Sequence, residues 1–129
     1  MDTSPLEDYI LSHISAEPDH LKRLYRSTYL RHLYPRMCSG HLQGRLLKML
    51  TAIARPMRVL ELGTFTGYSA LSIAEGMPEG AELHTVEIDD EMTEELTELF
   101  DTAPRGSDIT LHIGDALEVI PQLPGKWDM

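Results

Sequence analysis

The run Val59-Leu60-Glu61-Leu62-Gly63-Thr64-Phe65-Thr66-Gly67-Tyr68-Ser69 decides how the remaining residues of this 129-residue chain are read. Arg58 to Leu62 is a short, Val- and Leu-rich strand. Gly63 to Gly67 is a turn, and Tyr68 to Met77 is predicted as a helix closed by Pro78-Glu79-Gly80. Glycines after a strand let the chain turn sharply and let another molecule approach the backbone. The helix that follows presents free N–H groups and a partial positive charge.

Downstream the pattern repeats. Glu82 to Ile88 reads as a second strand and Asp90 to about Thr102 as a second helix. Ile109 to Ile113 reads as a third strand and Ala116 to Gln122 as a short helix. Strands alternating with helices through short loops imply a parallel sheet with right-handed crossovers. Upstream, the first 55 residues read as helices. Ser4, Pro5 and Glu7 form an N-cap, a first helical residue and the far member of a capping box, followed by Leu6, Ile10 and Ile14. A second helix is expected from Asp19 to Tyr34, with Leu21, Leu24, Thr28 and Leu33 on one side and Pro35 ending it. A third is expected from His41 to Ala54, with Leu42, Leu46, Met49, Leu50 and Ile53 facing inward. The expected fold is α/β: N-terminal helices, then a partial Rossmann-like parallel sheet in spatial order 3-2-1.

The turn also discriminates between ligands. A dinucleotide fingerprint needs G-x-G-x-x-G, its second glycine admitting a pyrophosphate to the backbone. Phe65 occupies that position, and Gly63 and Gly67 are spaced G-x-x-x-G. The spacing fits a ligand with a small carboxylate and no diphosphate, such as the methionine end of S-adenosylmethionine. Glu87 stands 24 residues after Gly63, near the end of the second strand, where an acid accepts hydrogen bonds from ribose hydroxyls. Gly114-Asp115-Ala116 follows the third strand. In a doubly wound sheet these three loops open onto one crevice.

Composition sets the remaining limits. Lys and Arg total 11 against 21 Asp and Glu, a formal charge of −10, so nucleic acid is not an expected partner, and the apolar runs give no reason to expect a membrane. No apolar run approaches the roughly 20 residues that span a bilayer, and Met1 to Pro5 lacks the pattern of a signal peptide. Cys38 is the single cysteine, which excludes an internal disulfide and suits a reducing cytoplasm. Cys38 itself reads as inert, the acidic run Asp89 to Glu98 as a solvated helix face, and the six histidines show no zinc spacing.

Together these segments resemble the cation-dependent O-methyltransferases of the caffeoyl-CoA and catechol O-methyltransferase family, and bacterial members in particular. The resemblance extends through Met37-Cys38-Ser39-Gly40-His41-Leu42-Gln43-Gly44, the Gly63 turn, Thr85-Val86-Glu87-Ile88-Asp89, Gly114-Asp115-Ala116-Leu117 and Gly125-Lys126-Trp127-Asp128. It implies the first three strands of a class I methyltransferase fold, with residues 1–55 a helical segment and 56–129 the N-terminal half of the cofactor domain. It also implies S-adenosylmethionine as cofactor and a small hydroxylated, aromatic methyl acceptor. Gly63 would offer its carbonyl to the cofactor's ammonium, with Glu61 beneath. Ser69, helped by backbone near Ser39, would bind the carboxylate. Phe65 and Tyr68, beside Gly67, would shape the pocket, and Met37 would approach the sulfonium. Glu87 would hold the ribose, and Asp115 and Ala116 the adenine edge. The family's Mg²⁺ ligands and catalytic lysine would lie beyond Met129, so no catalytic or metal residue is expected within these residues. An uncovered first strand would then favour a homodimer or other self-association.

Each assignment has a plainer alternative. Ser69 and Asp115 are also good helix caps, Phe65 and Tyr68 are also core aromatics, and Met37 also suits packing. The whole chain has alternatives too: a non-catalytic S-adenosylmethionine-binding remnant or interaction module, and an NAD(P)-binding oxidoreductase, against which Phe65 speaks.

Overall fold

The computed structural model describes residues 3–129. Three helices, α1 (Pro5–His13), α2 (Asp19–Arg31) and α3 (Gly40–Ala54), precede the strand–helix alternation. That alternation runs β1 (Arg58–Leu62), α4 (Tyr68–Gly76), β2 (Glu82–Glu87), α5 (Thr93–Thr102), β3 (Ile109–Ile113) and the short α6 (Ala116–Val119). The three strands are parallel, in the order β1-β2-β3. Val59, Leu83 and Ile109 share one row of the register, and all three are buried. With Leu71, Ala74, Leu96 and Phe100 they form the core between the sheet and helices α4 and α5.

Most element boundaries fall where the sequence put them, and the departures have local causes. Ser4 caps α1 by accepting the Glu7 N–H at 3.2 Å, so that half of the capping box forms. Helix α2 ends at Arg31, short of Tyr34, because the residue before Pro35 disfavours helical backbone. His32 instead turns inward to meet Glu95 at 3.1 Å, and Leu33 is left 91% exposed rather than packed.

The expected inward stripe of α3 is the larger correction. Leu46, Met49, Leu50 and Ile53 are exposed, and the buried positions are Gly40, Gly44, Arg45 and Thr51. Two glycines explain this. A Cβ built on Gly44 would lie 2.8 Å from Ser72 Oγ, and one on Gly76 would lie 2.4 Å from the Lys48 carbonyl. Helices α3 and α4 therefore approach nearly backbone to backbone through their smallest residues. Arg45 is buried beside them and shares the Glu75 carboxylate with Lys48. The outer edge of β1 is partly occupied: Leu60 N–H donates to the Met129 carbonyl at 3.0 Å, and Asp128 N–H to the Arg58 carbonyl at 2.9 Å.

On the other sheet face His84 Nδ1 lies 2.8 Å from His112 Nε2, and Trp127 packs on His84 at 5.4 Å. Burial, with His84 beside it, holds the His112 imidazole below the ordinary histidine value. The folded chain then binds fewer protons there than the unfolded chain. This contribution to stability is complete above about pH 6.5 and is lost as pH falls below it. Glu61 acts in the opposite sense, so the measurable outcome is a difference: from pH 7 to 5 the melting temperature of the parent is expected to fall relative to that of His112→Gln. Gly76→Ala should lower the urea midpoint. The helix-propensity gain of about 1 kcal/mol is outweighed by about 1–3 kcal/mol of overpacking against Lys48.

Candidate functional site

The loops after β1 and β2 meet at the carboxyl edge of the sheet, and one carboxylate joins them. Glu87 ends β2 and is buried. Its Oε2 accepts the Phe65 N–H at 2.7 Å, and its Oε1 accepts the Asp89 N–H at 3.0 Å. The turn it pins is unusual. Gly63, Phe65 and Gly67 all have positive φ, at +89°, +51° and +90°. Glycine adopts that conformation freely, whereas for phenylalanine it is strained. The charge-assisted bond to Glu87 and the edge-on packing of the Phe65 ring against His32, with centroids 5.4 Å apart, offset the strain.

Beneath the turn runs a directed chain of hydroxyls. Thr64 Oγ1 lies 2.6 Å from Thr85 Oγ1, Thr85 donates to Glu61 Oε1 at 2.8 Å, and Ser69 donates to Glu61 Oε2 at 2.6 Å. Both strand residues stand in one row of the β1–β2 register, which is why they meet. No cation contacts Glu61 among the described residues. Burial pushes its carboxyl above the usual range. The Ser69 and Thr85 hydroxyls oppose that shift, and the Glu87 charge adds to it.

Two cavities adjoin at this turn. The larger, about 750 Å³, lies between Arg31–Tyr34 and Met37 on one side and Gly63, Phe65, Glu87, Asp89, Glu91 and Glu95 on the other. The smaller, about 110 Å³, is lined by Met37 to Ser39 and by Gly63 to Thr66 with Tyr68 and Ser69. A Cβ built on Gly63 would meet nothing within 4 Å, so its backbone is open to a ligand. Met37, Ser39, Gly63, Phe65, Tyr68, Ser69 and Glu87 thus gather around one space, with Glu61 just below.

Three of the sequence-derived residues stand apart from that space. Gly67 lines neither cavity; a Cβ there would lie 2.6 Å from Leu99 Cδ2, so this glycine serves the contact with α5. Asp115 caps α6 by accepting the Leu117 N–H at 2.9 Å, and Ala116 is the first residue of that helix. Tyr68 is buried and donates to Glu17, and that carboxylate and burial hold its hydroxyl protonated. The sequence reading missed Thr64, Thr85 and His32. The Glu61–Thr85 contact follows from strand register, which becomes visible only once β1 and β2 are paired, and Thr64 joins it from the turn after β1. His32 is placed by the early end of α2. Cys38 lines the smaller cavity, and burial keeps its thiol protonated, consistent with an inert residue.

Among the described residues no group of three or more His, Cys, Asp or Glu is arranged to hold a metal ion. No helix among them is long and apolar enough to cross a membrane.

Known proteins match both the sequence and the fold. An O-methyltransferase family model matches residues 11–127. Mouse catechol O-methyltransferase is 32% identical over 127 residues, covering 95% of this chain and 48% of that protein. Caffeoyl-CoA O-methyltransferase of Stellaria longipes is 31% identical over 125 residues, covering 95% of this chain and 52% of that protein. The chain spans about half the length of the curated relatives it matches. Among solved structures, Podospora anserina methyltransferase PaMTH1 bound to SAH superposes with a TM-score of 0.88 at 28% identity, over 95% of this chain and 53% of that one. The Streptomyces achromogenes O-methyltransferase TomG in complex with SAM gives 0.81 at 28% identity, over 94% and 55%.

Glu61 carries a sign-defined test. A carboxyl whose folded-state value is raised binds more protons folded than unfolded. It therefore costs stability as pH rises from the ordinary glutamate value, about 4.3, through the raised one. Glu61→Gln should raise the melting temperature at pH 7 relative to the parent and leave the two alike near pH 4. A thermal series from pH 4 to 8 checks the crossover.

Proposed function

The chain belongs to the O-methyltransferase family, and from that premise we propose that it binds S-adenosylmethionine in the cleft between Met37 and Glu87. That binding serves methyl transfer to a hydroxyl of a small aromatic acceptor. The observation that carries this reading is the pairing of a buried, backbone-anchored Glu87 with an open Gly63 across a turn that Phe65 closes to a diphosphate. The relatives named for catechol and caffeoyl-CoA support an aromatic acceptor.

The residues divide the work by their chemistry. Each oxygen of Glu87 already accepts one N–H and has a second lone pair for a ribose hydroxyl. The Gly63 carbonyl and the Glu61 carboxylate supply the anionic surroundings an ammonium group needs. Ser69 has a single hydroxyl proton and gives it to Glu61. The ligand carboxylate is therefore met by the free N–H groups of the first turn of α4, including those of Tyr68 and Ser69, with backbone near Ser39 opposite. Gly67 starts that helix in the left-handed conformation. Met37 and Phe65 close over the sulfonium end, while the adenine-edge role of Asp115 and Ala116, which stand apart from the two cavities, rests on the family resemblance alone. When bound, S-adenosylmethionine supplies an electrophilic methyl group. The residues described do not fit a divalent cation, and no step is assigned to one. We read the chain as cytoplasmic from its single buried thiol, and as self-associating from the exposed stripe of α3.

Calorimetric titration with S-adenosylhomocysteine is expected to show one site, weakened at least tenfold by Glu87→Ala, while NAD gives no heat. Saturable NAD binding with no S-adenosylhomocysteine binding would overturn the reading.

A further inference from the structure

Helix α2 bears on the Gly63–Gly67 turn at two adjoining residues. The Thr28 and Thr66 hydroxyls lie 3.0 Å apart, and both residues are buried. One helical turn later the His32 ring meets the Phe65 ring edge to face, with centroids 5.4 Å apart. His32 is the C-cap residue of α2. Its N–H donates to the Thr28 carbonyl at 3.0 Å, and its own backbone is already extended, at φ −105° and ψ 143°. The helix therefore stops at the residue that touches Phe65.

The imidazole is also anchored on another element. His32 Nε2 lies 3.1 Å from Glu95 Oε1 on α5. An ionised carboxylate only accepts, so Nε2 carries the proton and donates it. Both residues line the large cavity, from opposite sides. Glu95 is half-exposed, and an ion pair with an exposed member contributes little to folding stability. What distinguishes this pair is its position. It orients a ring against the residue of the turn that adopts left-handed backbone without being glycine.

Glu87 and His32 hold different parts of Phe65. Glu87 accepts the backbone N–H at 2.7 Å and leaves rotation about the Cα–Cβ bond free. The direction of the ring is set by what it packs on, and His32 supplies an aromatic partner. We infer that His32 is a positioning residue for the cofactor turn: clasped by Glu95, it holds the Phe65 ring and so keeps residues 63–67 in the conformation that receives S-adenosylmethionine. This rests on the cofactor reading given above. His32 acts through Phe65 and requires no contact of its own with the cofactor. A brace that merely joined α2 to α5 would affect stability and leave ligand affinity alone.

Two measurements on the whole chain separate these roles. Amide hydrogen exchange at Phe65 reads the turn without any ligand, because that N–H is the one Glu87 accepts. Calorimetric titration with S-adenosylhomocysteine reads the consequence. A strained residue persists only where its surroundings over-determine it, so His32→Ala is expected to speed exchange at Phe65 about tenfold. It should weaken S-adenosylhomocysteine about fivefold, as fewer chains hold the competent turn. His32→Phe keeps a ring but no donor for Glu95, and His32→Gln keeps a donor but no ring, so each should fall between parent and His32→Ala. In a Phe65→Ala background, His32→Ala should weaken binding by no more than about twofold, since the partner it acts through is gone. Leu24→Ala removes an α2 side chain that packs on the core and lines neither cavity at the turn. It should lower the melting temperature and leave both readouts unchanged. Circular dichroism confirms that each variant is folded. A parent chain that binds no S-adenosylhomocysteine would overturn the cofactor reading and this inference together. A parent that binds, with His32→Ala within twofold of it or with Leu24→Ala weakened equally, would overturn the inference and leave the cofactor reading standing.

Discussion

A single buried carboxylate organises the business end of this molecule. Glu87 reaches from the last position of β2 to the Phe65 N–H, and through that bond it fixes a turn that contains three left-handed residues. Without the bond, Phe65 would relax toward negative φ, the path of residues 63–67 would change, and α4 would start from a different direction. The same carboxylate holds Asp89 at the start of the next connection. Two loops that converge only in space are thus tied to one side chain. The charge that would hold a ligand's hydroxyls also holds the protein's own backbone.

Below it, the Glu61 chain performs a second kind of control. A carboxylate with two hydroxyl donors and, among the described residues, no counter-ion is placed where burial disfavours its charge. A group in that state is poised to welcome a cation, and it explains why the Ser69 hydroxyl points down into the protein rather than into the cleft. The hydroxyl chain and the Glu87 clasp are independent in their bonds. They share no hydrogen bond, yet the Glu87 charge helps to raise the Glu61 carboxyl, so the cleft floor and its rim are coupled through charge.

The sequence was most legible where local chemistry and tertiary packing agree. Strands β1 and β3 run from the residues expected, because each short Val-, Leu- or Ile-rich run is bounded by glycine or charge and has a neighbour on the sheet. The glycine spacing and Phe65 pointed to the cleft, and the residues gathered there are mostly those the turn suggested. Legibility failed where contact depends on small residues. Periodicity in α3 pointed to Leu46, Met49, Leu50 and Ile53, yet the helix presents Gly44 and Thr51 to α4, since close approach was available on that side. Hydropathy weighs a glycine lightly and so misses it as an interface. The Thr64–Thr85 and His32–Glu95 contacts were equally hidden, because each joins residues on separate elements whose pairing no local pattern records.

The all-parallel pairing has a kinetic side. Adjacent strands are linked only through a helical crossover: Arg58 pairs with Glu82, Leu83 with Ile109, and Val59 lies beside Met129, 70 residues away. No hairpin is available as a local nucleus, so closing the sheet requires loops to form before any ladder bond rewards them. During synthesis β1 must wait for β2, and β2 for β3, with their apolar rows meanwhile sheltered by α4 and α5 alone. Chain assembly is therefore expected to follow the order of emergence, helices first, with the sheet zipping up behind them.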